Sequence, residues 1–315
     1  MKYETFVPLY ITNYCDSHCL ICNMRTTNEK QKRVEGNKDQ IMNQLKIIHE
    51  IEGISAICFL SGEYLPGEKR KKNLERIIWC IKEAISQGFE KIYFNIGSLY
   101  DNELKIFNDI FNGNEKLVLS LFQETYHKQC YKLFFGDNEI HNPKADYTSR
   151  LSVPEKWIAV GFKQVDIGIL LGLRDPEYDI LHLIQHASKL HDMGAIVHIS
   201  LPRLKGLNKI PYNLSDDDFI AIVKSIKEKC PWANLIITTR EDINIIKELI
   251  NTVNIVSPGS SDILPYTEKG DIPNNQYTSQ FQVAPIRKRP SWTLNSLQLE
   301  YKSIKYYNPQ KRKIL

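Results

Sequence analysis

Three of the chain's seven cysteines crowd into one loop, Tyr14-Cys15-Asp16-Ser17-His18-Cys19-Leu20-Ile21-Cys22. Thiolates are the usual protein ligands of iron–sulfur clusters, and short loop spacings such as C-x3-C-x2-C let several reach one cluster. Three ligands for a four-iron cluster leave one iron without a protein ligand, and an open metal position is where a substrate or cosubstrate binds. The rival readings are a zinc loop or three unrelated thiols. Zinc sites normally pair two short Cys/His hooks from separate parts of the chain. Cys58, Cys80, Cys130 and Cys230 are far apart and supply no second C-x2-C hook.

Other chemistry-bearing residues are scattered. Ser61-Gly62-Glu63 combines a glycine, which lets backbone approach a ligand closely, with a carboxylate that can accept hydrogen bonds from an ammonium group. Alone, this is an ordinary turn. Glu124, in Phe122-Gln123-Glu124-Thr125-Tyr126-His127, also fits an acidic residue near a helix N-terminus. Arg150 and Arg203 carry the planar fork that matches a carboxylate, with a surface ion pair as the bland alternative. His18 reads as a solvent-facing loop residue and His127 as structural.

Around these residues short apolar runs alternate with helical patterns, the signature of βα units around a parallel sheet. The strands are expected at 6–12, 55–60, 91–97, 117–123, 164–170, 195–201, 234–239 and 253–257. Eight strands with helices between them make an α/β fold, a (β/α)8 TIM-type barrel. Active groups in such a barrel gather at the C-terminal ends of the strands, where the residues above fall. At 315 residues the chain is expected to be one domain, with 262–315 packing on the barrel as a C-terminal segment. The net charge of +4 comes with no basic block, so nucleic acid is not indicated. No apolar run reaches the ~18–20 residues that span a bilayer, and the N-terminus is not a signal peptide. An odd number of cysteines argues for a reducing cytoplasm.

The cysteine loop resembles that of radical S-adenosylmethionine (SAM) enzymes. A longer resemblance, starting at Val7-Pro8-Leu9-Tyr10-Ile11-Thr12-Asn13-Tyr14-Cys15, is to their aromatic amino acid lyase branch. That branch holds the 2-iminoacetate synthase of thiamin biosynthesis, the tyrosine lyase of [FeFe]-hydrogenase maturation and the tryptophan lyase of nosiheptide biosynthesis. The resemblance implies a [4Fe-4S] cluster on Cys15, Cys19 and Cys22, with SAM on the fourth iron. It implies one-electron cleavage of SAM to a 5′-deoxyadenosyl radical, with flavodoxin or ferredoxin as electron donor.

By the same resemblance, Ser61, Gly62 and Glu63 match the superfamily's G-G-E motif, which holds the SAM amino group. Glu124, in the Q-E-T-Y-H segment, contacts SAM through its ammonium group or ribose. Arg150, in Pro143-Lys144-Ala145-Asp146-Tyr147-Thr148-Ser149-Arg150-Leu151, takes the SAM carboxylate. Ile21 stands near the adenine, where the superfamily usually has an aromatic residue, and Gly168 and Gly172 match glycines that let the fifth strand pass the adenine. Arg203, in Ser200-Leu201-Pro202-Arg203-Leu204, is the implied holder of the substrate carboxylate, with Tyr10 in the same pocket. Arg240 and Ser260 are secondary candidates at the barrel mouth.

The implied activity is cleavage of a free α-amino acid, tyrosine or tryptophan foremost, after hydrogen abstraction from it. A carboxyl-migrating or rearranging radical enzyme is the alternative within the class, and a non-catalytic iron–sulfur scaffold is the alternative outside it. Only fourteen residues precede Cys15 and no cysteine follows Cys230. The chain is therefore expected to be a compact member, without the family's N-terminal extension or a C-terminal cluster domain.

Overall fold

The computed structural model describes residues 2–205, 210–260, 262–269, 271–272, 288–297 and 300–301. Among them, each of the eight expected strands is present, as β2 (Val7–Tyr10), β3 (Ala56–Leu60), β4 (Lys91–Asn95), β5 (Leu117–Ser120), β6 (Gln164–Gly168), β7 (Ile196–Ser200), β8 (Asn234–Thr238) and β9 (Ile255–Ser257), and a further strand, β1 (Lys2–Thr5), precedes the first of them. Several end short of the apolar run that marks them, because the chain there leaves the sheet to build the barrel mouth. The connecting helices are α1 (Lys38–Lys46), α2 (Glu68–Ser86), α3 (Asp101–Phe111), α4 (Lys128–Phe135), α5 (Tyr147–Ala159), α6 (Glu177–Asp192), α7 (Asp216–Lys229) and α8 (Ile243–Leu249).

All strand pairings are parallel, in the order β1-β9-β8-β7-β6-β5-β4-β3-β2. β1 and β2 are one run interrupted only at Phe6. The first half pairs with β9 and the second with β3, so the order returns to its start and nearly closes the barrel. At the mouth, Tyr10 makes a further parallel bridge to Ile263.

Period-two alternation sorts the side chains. One set, including Val7, Leu9, Phe59, Phe94, Leu119, Ile167 and Ile199, packs under the helices in the large core. The other set faces the barrel axis and includes Phe6, Tyr10, Cys58, Tyr93, Val118 and Ile236. Full burial of each such aliphatic or aromatic side chain contributes about 1.5–3 kcal/mol, which is what commits the strands to this register.

The axis is not wholly apolar. Near its N-terminal end Lys91 Nζ lies 3.2 Å from Glu4, and the Tyr93 hydroxyl donates to the other Glu4 oxygen at 2.7 Å. Higher up, Asp166 accepts from Ser120 Oγ at 2.7 Å and Ser200 Oγ at 2.9 Å. Burial pushes the Asp166 carboxyl from its ordinary 3.8 up to about 7, against the pull of the two hydroxyls. The unfolded chain therefore releases this proton near pH 4 and the native chain near pH 7, so the native state binds more protons in that window. Stability is expected to fall as pH rises from about 4 to about 7, by up to about 4 kcal/mol from this group. Urea denaturation of Asp166→Asn across that range should show a flatter pH profile than the parent chain. An unchanged profile would remove Asp166 as its source.

After the barrel, Tyr266 donates its hydroxyl to the Pro8 carbonyl at 2.8 Å, and Arg289 Nε donates to Glu52 at 2.6 Å. A short helix, α9 (Pro290–Ser296), precedes β10 (Glu300–Tyr301), which pairs with β1. Much of the 262–315 segment lies outside the described residues. Among those described, no helix is long and apolar enough to cross a membrane.

Candidate active site

The cysteine loop leaves β2 at the barrel mouth and is fastened mainly through backbone. Asp16 N–H donates to the Glu63 carbonyl at 2.9 Å and Leu20 N–H to the Phe134 carbonyl at 2.9 Å. The Arg33 guanidinium gathers the carbonyls of Asn13, Met24 and Arg25 at 2.6, 2.8 and 2.7 Å. Gly62 is pressed against the loop: a Cβ there would sit 2.1 Å from the Tyr14 carbonyl oxygen and 2.6 Å from Cys15 Cβ. Only glycine fits this junction.

Cys15, Cys19 and Cys22 line one cavity, together with Ile21, Ser61, Gly62, Glu63, Glu124 and Arg150. Backbone N–H groups of Ser17 and Glu63 each donate to Cys15 Sγ at 3.4 Å, and that of Met24 to Cys22 Sγ at 3.4 Å. Burial, and then the neighbouring Cys22, push the Cys15 thiol up to about 11. Burial raises Cys19 further, with Lys144 pulling the other way.

Across the cavity, Glu63 follows β3 and accepts from Ser98 N–H at 2.8 Å and from Arg150 Nη1 at 3.0 Å. Gly97 has φ +87°, and a Cβ there would lie 2.3 Å from the Glu63 carboxyl carbon. Arg150 lies in the first turn of α5, whose start is set by Asp146 accepting from Ser149 N–H at 2.9 Å. Its Nε donates to the Phe122 carbonyl at 2.8 Å, which aims the guanidinium at Glu63. Behind them Arg70 binds Glu103 with two donors and also donates to the carbonyls of Tyr64 and Ser98. That buried clamp ties the β3 and β4 ends together. Glu124 is paired with Lys144 at 2.6 Å.

Other expected residues lie elsewhere. Gly168 packs on the Ser200 carbonyl and the Phe122 ring, and Gly172 adopts φ +101° beside Leu204; neither lines the cysteine cavity. Arg203 spends all five N–H donors: two on Glu241, one each on the carbonyls of Leu214 and Ser215, and one on Asp216. Tyr10 is buried at the inner end of the mouth, where Arg240 Nη2 donates to its hydroxyl at 3.4 Å. Ser260 is buried and accepts from Asp262 N–H at 3.2 Å. His127 caps α4 through Nδ1, a structural role.

Asn95, Gly97 and Lys144 also line the cavity, and residue type alone gives none of them a part there. Gly97 closes the third expected strand and Lys144 stands in the segment leading to Arg150. Position at a strand end for Gly97 and in that segment for Lys144 is the signal the sequence offers.

A radical SAM barrel implies a [4Fe-4S] cluster and SAM, and the donor set is of the chemical kind that both require. Three thiols surround one cavity, and backbone N–H groups aimed at sulfur favour the charged form. Two carboxylates and two cations on the facing wall match the ammonium and carboxylate of an amino acid moiety.

The nearly closed parallel barrel, with its three-cysteine loop after the first strand and this carboxylate–guanidinium wall, defines a radical SAM barrel. More particularly, the chain is related to the 2-iminoacetate synthase and HydG branch. It is 23% identical to 2-iminoacetate synthase of Escherichia coli (strain K12) over 264 residues, which cover 80% of this chain and 66% of that protein. The chain thus spans just under two thirds of the curated relatives' length. The structure matches the FeFe-hydrogenase maturase HydG from Carboxydothermus hydrogenoformans with a TM-score of 0.79 and 26% identity, covering 94% of this chain and 66% of that one. Methylornithine synthase (PylB) shares the fold, with a TM-score of 0.70 and 16% identity over 96% of this chain and 84% of that one. No family model matches the chain.

Proposed function

We propose that the chain is a radical SAM carbon–carbon lyase acting on a free α-amino acid, with tyrosine and tryptophan the first substrates to test. The observation that carries this is the convergence of Cys15, Cys19, Cys22, Glu63, Glu124 and Arg150 on one cavity at the barrel mouth. When bound, a reduced [4Fe-4S] cluster with SAM supplies a carbon radical that abstracts hydrogen.

The chain's own residues do the rest. Glu63 accepts the SAM ammonium hydrogens and Arg150 binds the SAM carboxylate, so their mutual ion pair holds the place of the ligand's two charges. The buried wall excludes water from a species that would otherwise be quenched. Ile21 walls the adenine, with Gly168 at the end of β6 and Gly172 beyond it shaping the backbone behind it. Arg203 is the proposed holder of the substrate carboxylate. It keeps buried Glu241 and exchanges Asp216, whose side chain is 54% exposed, for the substrate. Tyr10, hydrogen-bonded to Arg240, orients the substrate at the inner end of the mouth. Orientation decides which hydrogen is struck. The electron comes from a flavodoxin or ferredoxin, in a reducing cytoplasm consistent with seven free cysteines.

The test is an anaerobic reaction of iron-reconstituted protein with SAM, dithionite and single amino acids, followed by mass spectrometry. Tyrosine- or tryptophan-stimulated 5′-deoxyadenosine together with p-cresol or a methylindole fragment is expected. SAM cleavage with no response to any aromatic amino acid would move the substrate to another class. A verified, reducible cluster that cleaves no SAM would overturn the enzyme reading in favour of a scaffold.

A further inference from the structure

We propose that Lys144 and Glu124 form one binding unit, in which Lys144 is a positioning residue that presents a single carboxylate oxygen of Glu124 to a hydroxyl or ammonium donor of SAM. This rests on the reading of the cavity as a SAM site.

The Lys144 ammonium lies 2.6 Å from Glu124 Oε1, with the two side chains 14% and 6% exposed. The other oxygen, Oε2, is buried and has no hydrogen-bond partner. A buried acceptor left unmatched is costly, so a site that keeps one is built for a donor that arrives with the ligand. Both residues line the cavity that holds the three cysteine sulfurs.

The rest of the geometry holds this oxygen in place. Glu124 has φ +67°, a left-handed conformation uncommon for a residue with a Cβ. It is kept there by strand β6: its N–H reaches the Gly168 carbonyl at 3.4 Å, and its carbonyl accepts from Leu170 N–H at 2.8 Å. Lys144 is fixed as well. Its carbonyl accepts from the Tyr131 hydroxyl at 2.6 Å, and its ammonium lies 4.8 Å from the centre of the Phe135 ring. Two anchored elements thus meet through one charge-assisted bond, and Oε2 is the free end of that arrangement. With the lysine charge balancing the carboxylate, the unit has no net charge. It then selects a donor hydrogen and not an anion.

The experiment measures equilibrium binding of SAM, 5′-deoxyadenosine and methionine to iron-reconstituted protein carrying Lys144→Met, Lys144→Arg, Glu124→Gln or Lys144→Met with Glu124→Gln. Iron content and thermal unfolding are recorded for each. Loss of a charge-assisted hydrogen bond predicts at least a ~10-fold rise in the SAM Kd for Lys144→Met, with iron retained. Lys144→Arg should recover most of it. In the Glu124→Gln background Lys144→Met should add no further loss, because the lysine acts through the carboxylate. The fragments identify the donor: a matching loss for 5′-deoxyadenosine points to a ribose hydroxyl, and for methionine to the ammonium. Unchanged SAM binding in Lys144→Met, or losses that multiply in the double variant, would overturn the proposal. A parent protein that holds its cluster yet binds no SAM would overturn the functional reading together with it.

Discussion

Gly62→Ala is expected to give a folded barrel that no longer holds iron at the cysteine loop. The added methyl would lie 2.1 Å from the Tyr14 carbonyl oxygen and 2.7 Å from Cys15 Cα. Both are backbone atoms, so no rotamer change relieves the clash and the loop must move as a body. The loop is tied to this point by Asp16 N–H on the Glu63 carbonyl, and Glu63 N–H also donates to Cys15 Sγ. Displacing one therefore displaces the sulfur and the Glu63 carboxylate together. A shift of about 1 Å in a reacting constellation can cost ~100-fold in rate. The barrel core lies below the junction, and its strands are expected to remain intact. Iron analysis after anaerobic reconstitution, beside circular dichroism, checks both halves. A variant with full iron and parental SAM binding would show that the loop tolerates the shift.

Arg150→Met is expected to lower both stability and ligand binding, and a second substitution should separate the two losses. Arg150 and Glu63 are paired at 3.0 Å with side chains 3% and 6% exposed. Removing one partner leaves a buried carboxylate without its counter-charge, which typically costs about 3–5 kcal/mol. Adding Glu63→Gln removes the stranded charge, and the amide oxygen can still accept from Ser98 N–H. The double variant should therefore regain much of the lost stability in urea denaturation. It should not regain SAM binding, because the ligand's ammonium and carboxylate have then lost both charged partners. Recovery of binding alongside stability would mean that the pair serves the fold alone.

Much of the fold was legible along the chain because the barrel is built from local pattern. Apolar runs such as 55–60 and 91–97 are buried on both faces in a parallel sheet, so they read as uninterrupted strands. Closure was less legible. It depends on Phe6 dividing the first strand, so that β1 pairs with β9 and β2 with β3. Nothing in the spacing of Lys2 to Tyr10 states which neighbour each half chooses. Asp166, on the barrel axis, falls in a segment that reads as ordinary strand, and Glu4 lies before the first expected strand at 6–12; their polar partners come from other strands.

The sequence by itself determined the three-cysteine loop, the order of the βα units, and the placing of Glu63, Glu124 and Arg203 at strand ends. These are properties of residue type, spacing and hydrophobic period, and no other part of the chain is needed to read them. Only the tertiary structure decided which charge meets which. Glu63 and Arg150 are 87 residues apart and share a bond, whereas Arg203 spends its donors on Glu241, Asp216 and two carbonyls. Lys144 gained its place in the same way, by meeting Glu124. The physical reason is that a buried charge is defined by the partner that compensates it. Long side chains from separate loops can satisfy one another in several ways, and burial and packing select among them.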